Sequence, residues 1–81
     1  MLSGSQIRAA RALLKWSAEE AARQGKLTRK TVERLERYDL MPPSRSQTLA
    51  ALKVAFETAG IEFIGTPEDG PGVRLWRTPT E

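Results

Sequence analysis

Apolar residues recur at helical spacing through the first sixty positions, and the period then changes to two short alternating segments. Ile7, Ala10, Leu13 and Leu14 mark the inward face of a first helix that runs to about Lys15, with Arg8 and Lys15 left to water. Ser3 and Gln6 have capping-box spacing at its start, and Leu2 and Ile7 stand where a hydrophobic staple closes around that cap. Trp16 is expected to pack across the junction to the next helix. Ser17 and Glu20 repeat the capping-box pattern and begin a second helix ending near Gln24, in which the small Ala21 and Ala22 let another helix approach. Thr28 is a good N-cap for a third helix, with Val32 and Leu35 as its buried stripe and Thr31 at the boundary. Pro42-Pro43 ends any continuation from Tyr38-Asp39-Leu40-Met41 and leaves a stiff loop.

Ser44 or Ser46 caps a fourth helix, whose apolar face is Leu49, Leu52, Phe56 and Ala59, and Gly60 stops it in the left-handed position. Ile61-Glu62-Phe63-Ile64 then alternates, as does Val73-Arg74-Leu75-Trp76-Arg77. The stretch Gly65 to Gly72 between them is dense in turn formers, so the pair reads as a β-hairpin. The expected organisation is one mainly α domain: four helices over 1–60, a hairpin over 61–77, and a frayed tail over 78–81.

Composition narrows the chemistry. The 81 residues contain no cysteine and no histidine, which excludes disulfides, thiolate metal sites and imidazole catalysis. No metal or cofactor is expected. A domain this small, without staples, commonly gains stability by oligomerising. No apolar run is long enough to span a bilayer and no signal-peptide pattern opens the chain, so a reducing cytoplasm is the expected location. The net charge of +3 is unevenly spread, at +5 over residues 1–45 and −2 over residues 46–81.

That positive charge coincides with the most specific segment, Ser17 to Glu36, which reads as two short helices joined by a tight turn. Arg29, Lys30 and Arg34 on the second of these can share one outward surface opposite Val32 and Leu35, as a helix reading duplex DNA in the major groove requires. Such residues pair with guanine edges, Arg bidentately and Lys less directionally. Ser17, Arg23, Thr28, Thr31 and Arg45 are candidate phosphate contacts, Ser17 and Thr28 being equally explicable as caps alone. The plain alternative is a solvated helix face with Glu33 and Arg37 as an i,i+4 pair. Arg11 and Glu36 carry opposite charges on helices that compact packing brings together, and form either an interhelix ion pair or two independent surface charges. Carboxylates occur in pairs (Glu19-Glu20, Glu33 and Glu36, Glu68-Asp69), each with a local structural role. No phosphate-binding Gly-rich loop follows a strand, so the chain is not expected to be an enzyme.

The chain resembles the Cro/CI-like, xenobiotic-response-element type of helix-turn-helix family, in its short bacterial members. The resemblance lies in Gln6-x-Arg8-Ala9-Ala10-Arg11-Ala12-Leu13-Leu14-x-Trp16-Ser17, in Thr28-Arg29-x-Thr31-Val32 with Glu36, in Thr48-Leu49-x-Ala51-Leu52, in Ala59 to Ile64, and in Gly70-Pro71-Gly72-Val73-Arg74-Leu75. It implies a four-helix, lambda-repressor-like fold and a transcriptional regulator, usually a dimer on a palindromic operator and often a repressor. The family's base contacts fall on Arg29, Lys30 and Arg34, its phosphate-contacting helix start on Ser17 and Ala18, and its interhelix ion pair on Arg11 and Glu36. The chain has Ala21 where the family usually has leucine. Its turn glycine, Gly25, comes one position early, so either Lys26 takes the left-handed conformation or the turn is rebuilt around Gly25.

A homodimer is expected to pair through the hairpin and the fourth helix, using Phe63, Ile64, Leu75 and Trp76, unless these side chains cap the core of the monomer instead. The alternative function is a protein-interaction module, antiactivator or antitoxin-like, that sequesters another regulator without DNA.

Overall fold

Ser3 opens the first element of the computed structural model, which describes residues 2–40 and 43–76. Its hydroxyl accepts from the Gln6 amide while the Gln6 side chain accepts from the Ser3 amide, a complete capping box at the head of α1 (Gly4–Leu14). Leu2 and Ile7, the staple residues, are both buried. Three more helices and a hairpin follow: α2 (Ala18–Gly25), α3 (Arg29–Glu36), α4 (Ser46–Thr58), β1 (Ile61–Thr66) and β2 (Asp69–Leu75). The expected break at Pro42, the end of the hairpin at Arg77 and the 78–81 tail lie outside the described residues.

The core is assembled from one stripe per helix: Ile7 and Ala10, Ala21 and Ala22, Val32 and Leu35, then Leu49, Leu52 and Phe56, closed by Ile61 from the hairpin. Phe56 is the hub of its aromatic part. Trp16 stacks on it with ring centroids 5.6 Å apart, and Phe63 meets it edge-on at 6.0 Å. The junction of α1 with α2 is thereby locked to α4 and to the hairpin. Leu13 departs from the expected face. It lies two turns along the same side of α1 as Gln6 and is 42% exposed.

The first two helices end by the same device. Lys15 (φ 58°) and Lys26 (φ 58°) are the non-glycine residues with positive φ among those described. After each, the next amide reaches back five residues, Trp16 N–H to the Arg11 carbonyl at 3.0 Å and Leu27 N–H to the Ala22 carbonyl at 2.7 Å. This is the Schellman pattern, with lysine where glycine is usual. Lys26 therefore takes the left-handed conformation and the α2–α3 turn keeps its form. Gly25 remains the last helical residue, buried against Leu52, where an added Cβ would come within 3.4 Å of the leucine methyl.

Two expected caps differ. Ser17 caps α2 by accepting from the Glu20 amide, but the Glu20 carboxylate bonds Arg23 and Gln24 rather than closing a box. Neither Ser44 nor Ser46 caps α4. The cap residue is Arg45, with no side-chain hydrogen bond, and Ser46 is already the first helical residue. At the other end Ala59 is the half-buried C-cap, not a full member of the apolar face, and Gly60 (φ 107°) turns the chain into β1.

The hairpin is longer than alternation suggests. β1 and β2 pair antiparallel from Ile61 with Leu75 to Thr66 with Asp69, with Pro67 and Glu68 at the tip and Gly70 and Pro71 standing opposite Gly65. A bulge between Ile64 and Thr66 is built on Gly65 (φ 74°), where a Cβ would lie 2.1 Å from the Gly70 carbonyl oxygen. The glycines that read as a loop thus serve a bulged ladder. Among the described residues no helix is long and apolar enough to cross a membrane.

Candidate nucleic-acid interface

The site begins with how α3 is held. Its buried stripe, Val32 and Leu35, faces the core, and its packing is with α1 and α2. Two arginines of α1 then grip its C-terminal half. Arg11 donates from Nε to one Glu36 carboxylate oxygen at 2.6 Å and from Nη2 to the other at 2.9 Å, a bidentate pair, while its Nη1 reaches the Trp16 carbonyl at 3.1 Å. The Glu36 side chain is 9% exposed and that of Arg11 27%. The hydrogen bonds to Glu36 raise the Arg11 pKa against the opposing effect of burial. Arg8 donates to the Glu36 main-chain carbonyl and to the Asp39 carboxylate. Both cations sit where the α3 dipole is negative. The N-terminus of α1 closes the same joint: the Gly4 amide bonds the Leu40 carbonyl, and the Ser5 hydroxyl bonds that of Asp39.

With its inner side committed, α3 presents its outer side to water. Arg29, Lys30 and Arg34 are all exposed. Thr28 caps the helix through its hydroxyl, 3.2 Å from the Thr31 amide, and the two threonine hydroxyls are 3.0 Å apart. No acidic residue stands in the first turn of α3, so the positive end of its dipole adds to Arg29 and Lys30. By contrast, Glu19 and Glu20 occupy the first turn of α2, beside Ser17 and the half-buried Ala18. An anion approaching that helix start meets two carboxylates.

The candidate cations differ in what already holds them. Arg29 lies 3.7 Å from the Glu33 carboxylate. The Glu33–Arg37 pair of the plain alternative is not formed among the described residues. Arg37 is the C-cap residue of α3 and keeps right-handed helical angles (φ −72°, ψ −14°). Arg34 donates from Nη1 to the Pro43 carbonyl at 3.0 Å, which draws it toward the loop that leads to the exposed Arg45. Arg23 is held to α2 by Glu20, whose carboxylate lies below its ordinary pKa because it accepts from Arg23 first and from Gln24 second. Thr28, Arg29, Lys30 and Thr31 are contiguous at the head of α3, while Ser17, Ala18 and Arg23 belong to α2 and Arg45 to the head of α4. Arg37 is exposed, and among the described residues its side chain has no ion pair. Reading Arg37 as a helix-surface partner of Glu33 concealed it; its seven-residue spacing from Lys30 places the two on one line.

The expected dimer residues are divided between the two faces of the hairpin. Phe63 is spent on the protein's own core, edge-on to Phe56, because its register partner Val73 and it face the helices. Leu75 pairs with the buried Ile61 but sits at the strand end, 40% exposed. Ile64 and Trp76 are on the opposite, outward face with Glu62 and Arg74. There the Trp76 indole donates to Glu62 at 2.7 Å, and the Arg74 guanidinium lies over the Trp76 ring at 5.3 Å. No protein-family model matches this chain, and no curated relative was found.

Proposed function

We propose that the protein is a sequence-specific regulator that binds double-stranded DNA through α3, in the manner of the Cro/CI-like helix-turn-helix family, and acts as a dimeric repressor. The observation that carries this reading is the pairing of a rigidly seated α3 with an outer side of exposed cations. The inner side of that helix is fixed by Val32, Leu35 and the Arg11–Glu36 bridge, while Arg29, Lys30 and Arg34 stand in water. A helix held this way enters a major groove about 12 Å wide without deforming. The +5 charge of residues 1–45 supplies the sequence-independent attraction.

For the dimer, the available apolar surface is Ile64, Leu75 and Trp76 on the hairpin together with Val54 on α4, all exposed. Phe63 is no longer part of it. A protein-interaction role without DNA draws on a different feature, a groove of about 540 Å³ between the end of α2 and α4, lined by Gly25, Ala50, Ala51, Val54 and Ala55 among others.

The two readings separate in a salt titration of binding to duplex fragments selected from the neighbouring genome. A DNA reader loses affinity steeply as salt rises, with a logarithmic slope of about −0.9 per phosphate contact. Arg29→Ala and Arg34→Ala are expected to abolish sequence preference while leaving the helical circular dichroism intact. Normal repression of a reporter by that double variant would favour the interaction module.

A further inference from the structure

We infer that Arg37 is a phosphate anchor, set on one outward line with Lys30, so that the two ends of α3 divide the work of holding a duplex: Lys30 meets base edges and Arg37 the groove wall. This rests on the duplex-binding reading above and adds a residue and a role to it.

The helical phase gives the direction. Val32, Leu35 and Glu36 are buried on one arc of α3. At 3.6 residues per turn the opposite direction falls on Lys30, with Arg37 within about 20° of it and Arg34 about 40° away. Arg29 stands about 100° from Lys30 by the same geometry, at the margin, where Glu33 takes it. Glu33 is the one acid on the outer side of this helix, because Glu36 is turned inward to Arg11. An anion therefore meets a line of three cations with no apolar side chain between them, which suits a phosphate backbone better than a membrane or an apolar peptide.

Position along the axis separates the roles. Seven residues carry the chain about 10.5 Å, close to the ~12 Å width of the major groove. With the head of α3 inserted, Lys30 is deep in the groove and Arg37 is at its rim. Guanidinium suits that place, since it binds a phosphate through two parallel N–H bonds. Arg37 is exposed and, among the described residues, has no ion-pair partner to surrender. Arg34, between them, is tied to the Pro43 carbonyl.

The test is fluorescence anisotropy on one selected duplex and one of random sequence, each titrated with salt, using the wild-type chain, Arg37→Ala, Arg37→Lys and Lys30→Ala. Arg37→Ala is expected to weaken both duplexes by the same factor and to make the salt slope shallower by about 0.9. Arg37→Lys should restore the slope and recover only part of the affinity. Lys30→Ala should cut the ratio of selected to random affinity about tenfold or more, the scale of one lost base contact. If the wild-type chain binds neither duplex at low salt, the DNA reading fails and this inference with it. If the wild-type chain binds and Arg37→Ala keeps its slope, or alters sequence preference instead, the anchor role alone is overturned.

Discussion

The carboxamide nitrogen of Gln6 lies 3.1 Å from the carbonyl oxygen of Gly72, tying the first turn of the protein to its last strand. The same nitrogen reaches the Ile64 carbonyl at 3.1 Å, and the Gln6 oxygen accepts from the Ser3 amide at 3.0 Å. One side chain thus completes a helix cap and clamps both strands of the hairpin at a register pair next to the Gly65 bulge. Gln6 is 2% exposed, so little water is on hand to replace it.

Gln6→Leu keeps the volume and removes all three bonds, for an expected loss of about 2–3 kcal/mol at ~1 kcal/mol each. Gln6→Glu is the sharper test. It keeps the acceptor for Ser3 but sets a carboxylate against two carbonyl oxygens, which raises the pKa of the introduced acid. A group with a raised folded-state value binds more protons when folded, so stability falls as pH climbs from the ordinary glutamate value of about 4.3. Urea denaturation at about pH 4.5 and 7.5 should find the gap from wild type smaller in acid. A gap independent of pH would sink the clamp.

Gly4→Ala is expected to reverse the sign that helix propensity gives. In an open helix the change stabilises by up to about 1 kcal/mol. Here the new Cβ would lie 2.0 Å from the Tyr38 carbonyl oxygen and 2.5 Å from that of Leu35, both main-chain atoms that cannot swing aside. Helices α1 and α3 must separate, at about 1–3 kcal/mol for an overpacked contact. Thermal unfolding reads this directly, since each 1 kcal/mol moves the midpoint of a domain this size by about 4–8 °C. An unchanged or higher midpoint would mean that the joint is looser than its geometry.

These two residues mark the limit of what the sequence tells. Caps are written within four consecutive positions, so Ser3, Ser17 and Thr28 were legible, as were four helices and a hairpin. Gln6 was legible as a cap and not as a clamp, because its partners are 58 and 66 residues away. Gly4 gave no sign, since its constraint is a neighbouring helix end. In the candidate site the charges were legible and their partners were not. Glu33 has an arginine four residues to either side, Arg29 and Arg37, and the spacing alone does not choose between them; the structure pairs it with Arg29. Phe63 and Trp76, alike in hydropathy pattern, go to opposite faces because strand register sorts them.

Lys26→Gly is expected to stabilise the turn between α2 and α3. The left-handed conformation costs an L-residue about 1–2 kcal/mol, and glycine escapes this while giving back part of the gain through its freer unfolded chain. The net expectation is about 0.5–1 kcal/mol of added stability, with the same for Lys15→Gly, whose φ is identical. Because Lys26 is exposed, neither packing nor an ion pair among the described residues is lost. Equilibrium denaturation of both variants checks it, and a loss of stability in either would show that the lysine side chain contributes a contact worth more than the backbone strain.

The Arg11–Glu36 bridge should behave as one unit in a double-mutant cycle. Glu36→Ala leaves the part-buried Arg11 without its carboxylate, at an expected cost of at most about 3 kcal/mol, the low end for buried pairs because a quarter of its side chain stays wet. Arg11→Met with Glu36→Leu together should recover most of that loss, since an apolar pair of similar volume has no charge to desolvate. The arginine's share of the bridge has no pH dependence in the ordinary range. Its raised pKa means that the contribution is complete below the unfolded arginine value and is lost only as pH rises beyond it. The coupling energy measured at about pH 6 and pH 10 should therefore agree. If the single variants prove additive, within the ~0.5 kcal/mol expected of independent sites, then the bridge does not hold α3 to α1, and the seating of the proposed DNA-reading helix must come from Val32, Leu35 and the bonds of Gly4, Ser5 and Arg8 to its C-terminal end.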